Sequence, residues 1–328
     1  MVFALALTFV LAQAAPSLCA GLESAVDANG GASSANVWER AKVPKLGPFC
    51  DLLASGAAKL TSDLPLSSDV VAIADSANKL LPGRAEPYVL RGRALLRLGR
   101  ANDALSALQE AARRDKRALG EPIVLLSWAR ANAQLHRSSV AAQAYRDLLP
   151  RATALPAYER AAASFEAAML MMSQGPSGVE PAIALLRQAR LTHLTQPSAD
   201  DALEVANVVA LALALDRAGD RDEAKTLLSS RIARARGISR DPRTAHFLGN
   251  AGVPEEGDAL DAMALEASDP AMAREAWQRY IDGASGVSGA GRAGEWVSHA
   301  RAHVSALGVG VPAKRAGQSR SGARSGSQ

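Results

Sequence analysis

Aromatic residues are scarce in this chain: they make up 4% of its 328 residues, whereas 48% of the residues are hydrophobic by a broad count. Alanine and leucine supply most of that apolar content. Domains built on β-sheets rely on β-branched and aromatic side chains, which this composition does not provide. Helices that pack through small residues suit the composition, so the sequence predicts an all-α fold.

Residue patterns typical of enzymes are also missing. The chain has two cysteines, Cys19 and Cys50, and neither belongs to a C-x-x-C pair, which argues against a zinc or redox motif. No serine or cysteine stands in a nucleophile-elbow motif, and the sequence pattern produces no pair of catalytic carboxylates. We therefore expect no enzymatic activity and no cofactor.

An excess of charge of one sign is confined to the C-terminus. The formal net charge is +4, and residues 312–328 contain Lys314, Arg315, Arg320 and Arg324 without an acidic residue. The rest of the chain carries equal numbers of basic and acidic residues. A charge-balanced body lacks the basic surface of a nucleic-acid-binding protein, so no nucleic-acid partner is expected. We predict that residues 312–328 form a disordered basic tail.

No lysine or arginine precedes the first apolar run, Val2 to Ala12. This run is shorter than the about 20 residues that a membrane span requires, and it has the size of a secretory signal core. We predict a signal peptide over residues 1–20, cleaved after Ala14 or Ala20, and a periplasmic or secreted protein. An uncleaved N-terminal membrane anchor is the alternative. After cleavage Cys50 is expected to be a lone thiol, either buried or available for an intermolecular link.

The stretch from Ala85 to Ala118 predicts two short amphipathic helices folded back on each other. Leucines at i, i+3 and i+4 spacing give each helix an apolar stripe. Gly92 and Ala104 are small where the two helices must cross closely, and Gly99 marks the turn between them. The residues that define the pattern are Tyr88, Gly92, Leu95, Gly99, Ala104, Leu108 and Ala111.

This pattern resembles the tetratricopeptide repeat, whose period is about 34 residues. Arg91 and Lys116 depart from the family pattern, which usually has an apolar residue and a proline at these places. The next segment repeats the plan, because Ala129 and Ala141 follow Gly92 and Ala104 at the same spacing of 37 residues. A joint of variable length between repeats is what a solenoid tolerates.

The resemblance implies a right-handed α-solenoid of about five to six helical hairpins over residues 48–311, closed by a C-terminal capping helix. Residues 21–47, rich in alanine, serine and glycine, are expected to form a flexible linker in front of it. The implied repeats lie at about 51–84, 85–118, 122–153, 157–194, 205–238 and 256–283, with the cap at 295–307.

Glycine and proline interrupt the helical pattern most clearly at residues 237–257, which we expect to be irregular and to hinge the last pair of helices. A second interruption follows at residues 283–294, where Gly289, Gly291 and Gly294 match the dinucleotide-binding fingerprint. That fingerprint requires a preceding strand, and here a helix and further glycines precede it. Nucleotide binding is therefore not expected.

Two histidines on the predicted capping helix could share a metal ion. His299 and His303 are four residues apart, so they project from the same face of a helix. Ala300 stands where the zincin motif has its glutamate, and no carboxylate is paired with the histidines downstream. We predict two histidines on a solvated helix face and no metal site, with metal binding as a remote alternative.

In tetratricopeptide repeat proteins the first helix of each pair lines a concave wall. The resemblance implies a groove that is basic toward its N-terminal end and apolar further on. Such a groove would complement an acidic peptide or one with a free carboxylate. The alternative is that these cations only make exposed helix faces soluble. The predicted partner-binding residues are Lys59, Arg93, Arg97, Arg130, Phe165, Met169, Leu213 and Arg217.

Together these features predict a non-catalytic scaffold of the bacterial cell envelope that binds a protein or peptide in its groove. The alternative is a membrane-associated structural assembly factor of the envelope, held by an uncleaved N-terminus or by residues 312–328 on anionic lipid. Membrane association that a salt wash removes is expected only for an assembly factor held through the basic tail.

Overall fold

The computed structural model describes residues 19, 44–61, 68–195, 201–229, 238, 241–286 and 296–309. All regular structure in these residues is helical, and no strand occurs among them, which confirms the predicted all-α class. The predicted signal peptide (apart from Cys19), most of the predicted linker, the basic tail and the glycine fingerprint lie outside the described residues.

Fourteen α-helices lie within the described ranges, and three short 3₁₀-helices lie between some of them. None of these helices combines the length and the apolar composition that crossing a membrane requires. In chain order the helices are α1 Leu46–Thr61, α2 Asp69–Leu80, α3 Glu86–Arg97, α4 Ala101–Arg114, α5 Pro122–Gln134, α6 Ser138–Leu148, α7 Ala157–Ser173, α8 Val179–Thr195, α9 Asp201–Ala218, α10 Arg221–Leu228, α11 Pro242–Ala251, α12 Glu256–Leu265, α13 Pro270–Gly286 and α14 Val297–Val309.

The chain divides into two compact units, Met1–Ala163 and Ser164–Gln328, with the boundary inside α7. In the first unit each helix from α1 to α5 packs against the next one along the chain. The second unit holds α8 to α14. Each unit has its own buried core, and the two are described separately below.

The close approach of α3 and α4 depends on Gly92. A Cβ atom built on Gly92 would lie 2.9 Å from the Leu108 side chain and 3.2 Å from the carbonyl oxygen of Ala104. Gly99 lies in the connection between the two helices. Its φ of +72° is a backbone conformation that favours glycine. Both predicted helices and the predicted turn are therefore present at residues 85–118.

Alanine and leucine fill the core of the first unit. Leu95, Ala104 and Ala131, from three different helices, belong to one buried cluster. Tyr145 and Leu126 are among the largest side chains that are completely buried. Small residues let the helices approach closely, so a close-packed interior forms with few aromatic side chains.

Cys19 and Cys50 form a disulfide bond, with their Cα atoms 5.6 Å apart. The expectation that Cys50 is a lone thiol is therefore wrong for a chain that retains Cys19. Both cysteines pack in a cluster with Leu46 and Phe49 near the start of α1. Cleavage after Ala20 before the bond forms would remove Cys19, whereas cleavage after Ala14 would keep both cysteines in the mature chain.

Helix α9 is the central helix of the second unit. Every residue from 206 to 215 is buried, and α9 packs against α8, α10, α11 and α12. A helix that is apolar on all sides belongs in the interior of a domain. The last turn of α9, which ends at Ala218, holds the polar pair Asp216 and Arg217, and both residues are buried.

The predicted interruption at residues 237–257 contains a helix, α11, and this part of the sequence prediction was wrong. Asp241 caps α11, because its carboxylate accepts hydrogen bonds from the backbone N–H groups of Arg243 and Thr244. Pro242 is the first helical residue, and Gly252 ends the helix with φ of +70°. The proline and the glycine are therefore the two ends of a helix rather than signs of an irregular loop.

The later helices differ from the predicted boundaries by a few residues. Helix α13 begins at Pro270 as predicted but continues to Gly286, into the stretch that was expected to be irregular. The predicted capping helix is present as α14, which begins at Val297 after a turn at Trp296.

Candidate functional site

Three arginines of the first unit lie close together; we call Arg93, Arg97 and Arg130 the arginine cluster. Arg93 and Arg97 are four residues apart on α3 and so share one face of that helix, and Arg130 comes from α5. The Nη2 atom of Arg130 lies 3.1 Å from Oε2 of Glu159, with only 14% of the arginine side chain exposed. Arg97 donates a hydrogen bond to the backbone carbonyl oxygen of Leu60.

Among the charges that act on Arg93, the carboxylate of Glu159 has the largest effect, and the guanidinium groups of Arg130 and Arg97 oppose it. Burial is the main cause that lowers the pKa of Arg93, and the nearby charges of Arg130 and Arg97 lower it further. The carboxylate of Glu159 acts in the opposite direction. The charged neighbours that act on Arg93 are therefore two guanidinium groups and one carboxylate, an arrangement that attracts an anion.

The other predicted groove residues have different environments. Lys59 is exposed on α1, and its Nζ atom lies 3.8 Å from the exposed carboxylate of Asp69, a geometry that contributes little to stability. The remaining four are buried in the core of the second unit, so no partner can contact their side chains in this conformation. They are Phe165, Met169, Leu213 and Arg217.

A second polar site lies in the second unit; we call Asp216, Glu266, His299 and His303 the histidine–carboxylate cluster. The Nε2 atoms of His299 and His303 lie 2.7 and 2.9 Å from the same oxygen, Oδ2 of Asp216. The Nδ1 atom of His303 lies 2.6 Å from Oε1 of Glu266. The histidine side chains are only 17% and 12% exposed, which corrects the prediction of a solvated helix face.

Helix α14 is held in place by the aromatic residue that precedes it. Trp296 is buried, and its Nε1 atom donates a 2.8 Å hydrogen bond to the backbone carbonyl oxygen of Met172. Ala300, which has no exposed surface, lies between the two histidines in the sequence. The four-residue spacing then directs His299 and His303 toward the same carboxylate at the end of α9.

Trp277 of α13 supports the cluster from a second side. Its ring stacks on the imidazole of His303, with the ring centroids 4.8 Å apart and an angle of 29° between the planes. Its Nε1 atom donates a 2.7 Å hydrogen bond to Glu266 Oε1, the same oxygen that contacts His303. Trp277 therefore fixes the positions of both the imidazole and the carboxylate.

Next to this cluster lies a buried ion pair. Arg217 and Glu256 have side chains that are 0% and 1% exposed, and they are 2.8 Å apart. The phenol of Tyr280 donates a 3.3 Å hydrogen bond to Glu256 and accepts one from Arg217. Burial, reinforced by the charge of Glu256, raises the pKa of Tyr280 well above its usual range.

The acid–base properties of the cluster reflect its contacts. Burial alone would raise the pKa of Asp216, but the adjacent imidazoles of His299 and His303 outweigh burial and hold that pKa far below its usual range. For His303, burial acts to lower the pKa, and the two carboxylates overcome it and raise the pKa to about 9. The cluster therefore holds a positive charge between its carboxylates.

One nitrogen of the cluster lacks a hydrogen bond. His299 Nε2 is buried and close to Asp216 Oδ2, but its geometry does not satisfy a hydrogen bond to that or any other described atom. Asp216, His299 and His303 offer ligand atoms that all lie within 4.8 Å of one another. Two imidazole nitrogens and a carboxylate oxygen are a donor set that proteins use for transition metals.

Sequence reasoning found part of each site. It identified Arg93, Arg97 and Arg130, and it paired His299 with His303, but it found no carboxylate partner for the histidines. That partner, Asp216, is separated from His303 by 87 residues. The only local signal is the position of Asp216 directly after the apolar run Val208 to Leu215, where a buried acid requires a partner.

No protein-family model matches the chain. A comparison with curated proteins also finds no match. The resemblance to tetratricopeptide repeats therefore depends on the residues quoted above, and the two sites are interpreted from their geometry.

Proposed function

We propose that the chain is an exported, non-catalytic scaffold of tetratricopeptide-like helical pairs, arranged as a right-handed α-solenoid, that binds an acidic segment of a partner protein. The observation that carries this proposal is the arginine cluster. Arg93, Arg97 and Arg130 come from two helices and act on one another electrostatically, with Glu159 as the counter-charge. A carboxylate-rich peptide supplies the additional negative charge that such a cluster favours.

The proposed binding surface is smaller than the groove expected from the sequence. It consists of the arginine cluster together with Lys59 of α1, whose neighbour in the chain, Leu60, accepts the hydrogen bond from Arg97. The four buried residues of the second unit are excluded, because their side chains pack inside the protein. Affinity then depends on charge and on bidentate hydrogen bonds from guanidinium groups, so it should fall as salt concentration rises.

The disulfide between Cys19 and Cys50 supports the proposed export. Disulfides persist in the periplasm and outside the cell, and they are rare in reducing compartments. An exported chain of this kind would retain Cys19 after processing, which favours cleavage after Ala14 over cleavage after Ala20. The mass of the mature N-terminus distinguishes these two sites.

A binding experiment with defined peptides tests the proposal. Fluorescence anisotropy is measured for the full chain with a labelled peptide of aspartate, glutamate and leucine, with its amidated form, and with a neutral asparagine and glutamine analogue. We expect saturable binding of the acidic peptides that weakens with salt. Replacing Arg93 and Arg97 with glutamine should weaken binding roughly tenfold, a change of about 1.4 kcal/mol.

The matched control is Arg146→Gln on α6. Arg146 is exposed in the same unit and hydrogen-bonds to the neutral Gln143, so this variant loses one charge without touching the arginine cluster. Equal binding by wild type and the double variant would contradict the proposal. Salt-sensitive binding to vesicles with anionic lipid, without peptide binding, would instead favour the membrane-associated assembly factor.

A further inference from the structure

We infer that Asp216, His299 and His303 form a binding site for one divalent transition-metal ion, with zinc as the best match, and that Glu266 orients His303. This site is independent of the arginine cluster and shares no residue with it. Its three ligand atoms are Oδ2 of Asp216 and the two Nε2 atoms, which converge although Asp216 lies more than 80 residues before the histidines.

The distances fit a small cation. Ligand atoms about 2.1 Å from a tetrahedral zinc ion stand about 3.4 Å from one another. In the protein the two Nε2 atoms lie 2.7 and 2.9 Å from Asp216 Oδ2, so side-chain movements of a little more than about half an ångström open the required space. The ion replaces the proton that the carboxylate and His303 Nε2 share, and that proton leaves to solvent.

Glu266 provides the second argument. Metal-binding histidines usually donate their other N–H group to a carboxylate, which fixes the ring and directs the remaining nitrogen at the metal. His303 has this arrangement: Nδ1 contacts Glu266 at 2.6 Å, and Nε2 faces Asp216. Trp277 holds Glu266 through its Nε1 hydrogen bond and stacks on the His303 ring, so the imidazole is preoriented from two directions.

The unsatisfied nitrogen of His299 provides the third argument. A buried polar atom without a hydrogen bond is uncommon and calls for an explanation such as an ion. His299 Nε2 contacts Asp216 Oδ2 at 2.7 Å, but the angle of this contact does not satisfy a hydrogen bond. A metal ion bound between these atoms accepts the nitrogen lone pair and removes this unfavourable feature.

The nearby cations do not oppose metal binding strongly. The charge of Arg217 is compensated by Glu256 at 2.8 Å in the core. Arg221 approaches the other oxygen of Asp216 at 3.7 Å, but its side chain is 65% exposed and can turn away into solvent. Once the proton on His303 Nε2 has left, two carboxylates and two neutral imidazoles make a net negative site for the ion.

The donor set indicates which metals bind. Imidazole nitrogens favour zinc, iron, nickel and copper, whereas magnesium and calcium prefer sites made only of oxygen. Three protein ligands leave one coordination position open, where a water molecule binds. The partial exposure of both histidines gives that position access to solvent.

The test uses the full chain without a histidine tag, purified without reductant so that both cysteines stay in their disulfide. After removal of metal with a chelator, zinc is titrated against a competing chelator, and cobalt binding is followed by its visible absorption. We expect one zinc per chain, a cobalt spectrum of a four- or five-coordinate site, and no competition from magnesium or calcium at millimolar concentration.

Variants locate the site. His299→Ala and His303→Gln should each abolish stoichiometric zinc binding, and Glu266→Gln should weaken it about 10- to 100-fold, as expected for a partner that orients a ligand. His136→Asn is the matched control, because His136 is an exposed histidine in a turn with φ of +55°, which asparagine also adopts. Circular dichroism verifies that each variant remains helical.

Three results would overturn the inference. The first is the absence of one-to-one zinc binding and of a cobalt spectrum in the stripped wild-type protein, a measurement that does not depend on any variant folding. The second is wild-type zinc affinity in folded His299→Ala. Loss of binding in His136→Asn would likewise assign the ion to a different place and reject this site.

Discussion

The guanidinium group of Arg217 lies over the ring of Trp296, with its central carbon 4.7 Å from the ring centroid. The Nε and Nη1 atoms of Arg217 make no hydrogen bond to any residue that the structure describes, so the aromatic face takes the place of a polar partner on that side. This contact joins the last turn of α9 to the residue just before α14. It thereby brings His299 and His303 to Asp216, the residue next to Arg217.

Removal of Arg217 should destabilise the second unit strongly. The variant Arg217→Met leaves Glu256 buried without its counter-charge, and breaking a buried pair in this way costs about 3–5 kcal/mol. Urea unfolding followed by circular dichroism measures the loss. The matched control is Arg279→Met, which breaks the pair of Arg279 with Asp258; because this arginine is half exposed, we expect a loss below about 1 kcal/mol. A similar loss of unfolding free energy in both variants would contradict the expectation that a buried ion pair costs more to break than an exposed one.

Gly92→Ala should weaken the packing of α3 on α4. The new methyl group would meet Leu108 at 2.9 Å and the backbone oxygen of Ala104 at 3.2 Å, and overpacking of this kind costs about 1–3 kcal/mol. The control is Gly120→Ala, where no atom lies within 4 Å of the added Cβ and φ is not positive. Thermal unfolding should separate the two variants. An unchanged melting temperature for Gly92→Ala would show that the two helices can move apart easily.

Asp241→Ala should destabilise α11 by about 1 kcal/mol, because the two backbone N–H groups at the start of that helix lose their acceptor. Ser68→Ala is the comparison at the start of α2, where the serine side chain makes no capping hydrogen bond. We expect hydrogen exchange to accelerate at α11 in the first variant and to stay unchanged at α2 in the second. Equal exchange at α11 in Asp241→Ala and wild type would reject the capping role.

Loss of the disulfide should lower the free energy of unfolding by about 3 kcal/mol, because the bond mainly restricts the conformations of the unfolded chain. Cys19 and Cys50 are separated by 31 residues, so their bond closes a loop of moderate length. Cys19→Ser and Cys50→Ser should have the same effect, measured by denaturant unfolding, and the double variant should add nothing further. If a thiol reagent labels the denatured wild-type protein in the absence of reductant, the bond between Cys19 and Cys50 does not form.

Zinc should stabilise the folded chain if the histidine–carboxylate cluster binds it. At a free zinc concentration of 100 times Kd the expected gain in the free energy of unfolding is about 2.7 kcal/mol. His299→Ala should show no such gain, whereas His136→Asn should match the wild type. A zinc-dependent rise in melting temperature that persists in His299→Ala would point to binding at other residues.

Much of the helical structure follows from local signals that the sequence carries. Gly99 predicted the turn between α3 and α4, and the spacing of the leucines on either side of it predicted the two helices. Glycine and proline misled the prediction at α11, where Pro242 and Gly252 were interpreted as a loop although they begin and end a helix of ten residues. Glycine and proline mark ends of helices, and the sequence between them decides whether a helix or a loop lies there.

The sites depend on contacts that local patterns do not contain. The spacing of His299 and His303 predicts that they share a face, but not which residues that face contacts. Asp216 reaches them only because α9, α13 and α14 pack in one unit. In the same way, Phe165 and Met169 were assigned to an accessible wall by their places in a repeat, whereas packing in the second unit buries them completely. Burial depends on neighbours that are distant in sequence.

The bond between Cys19 and Cys50 also determines how the N-terminal region responds to proteolysis. A single cut anywhere between these residues breaks the polypeptide without separating its parts, because the sulfur atoms keep both fragments in one molecule. The nicked and intact forms then have nearly the same mobility on a gel run without reductant. Adding reductant releases the shorter fragment. A difference between the two gels therefore indicates a cut after Cys19, and a cut before Cys19 gives the same pattern on both gels.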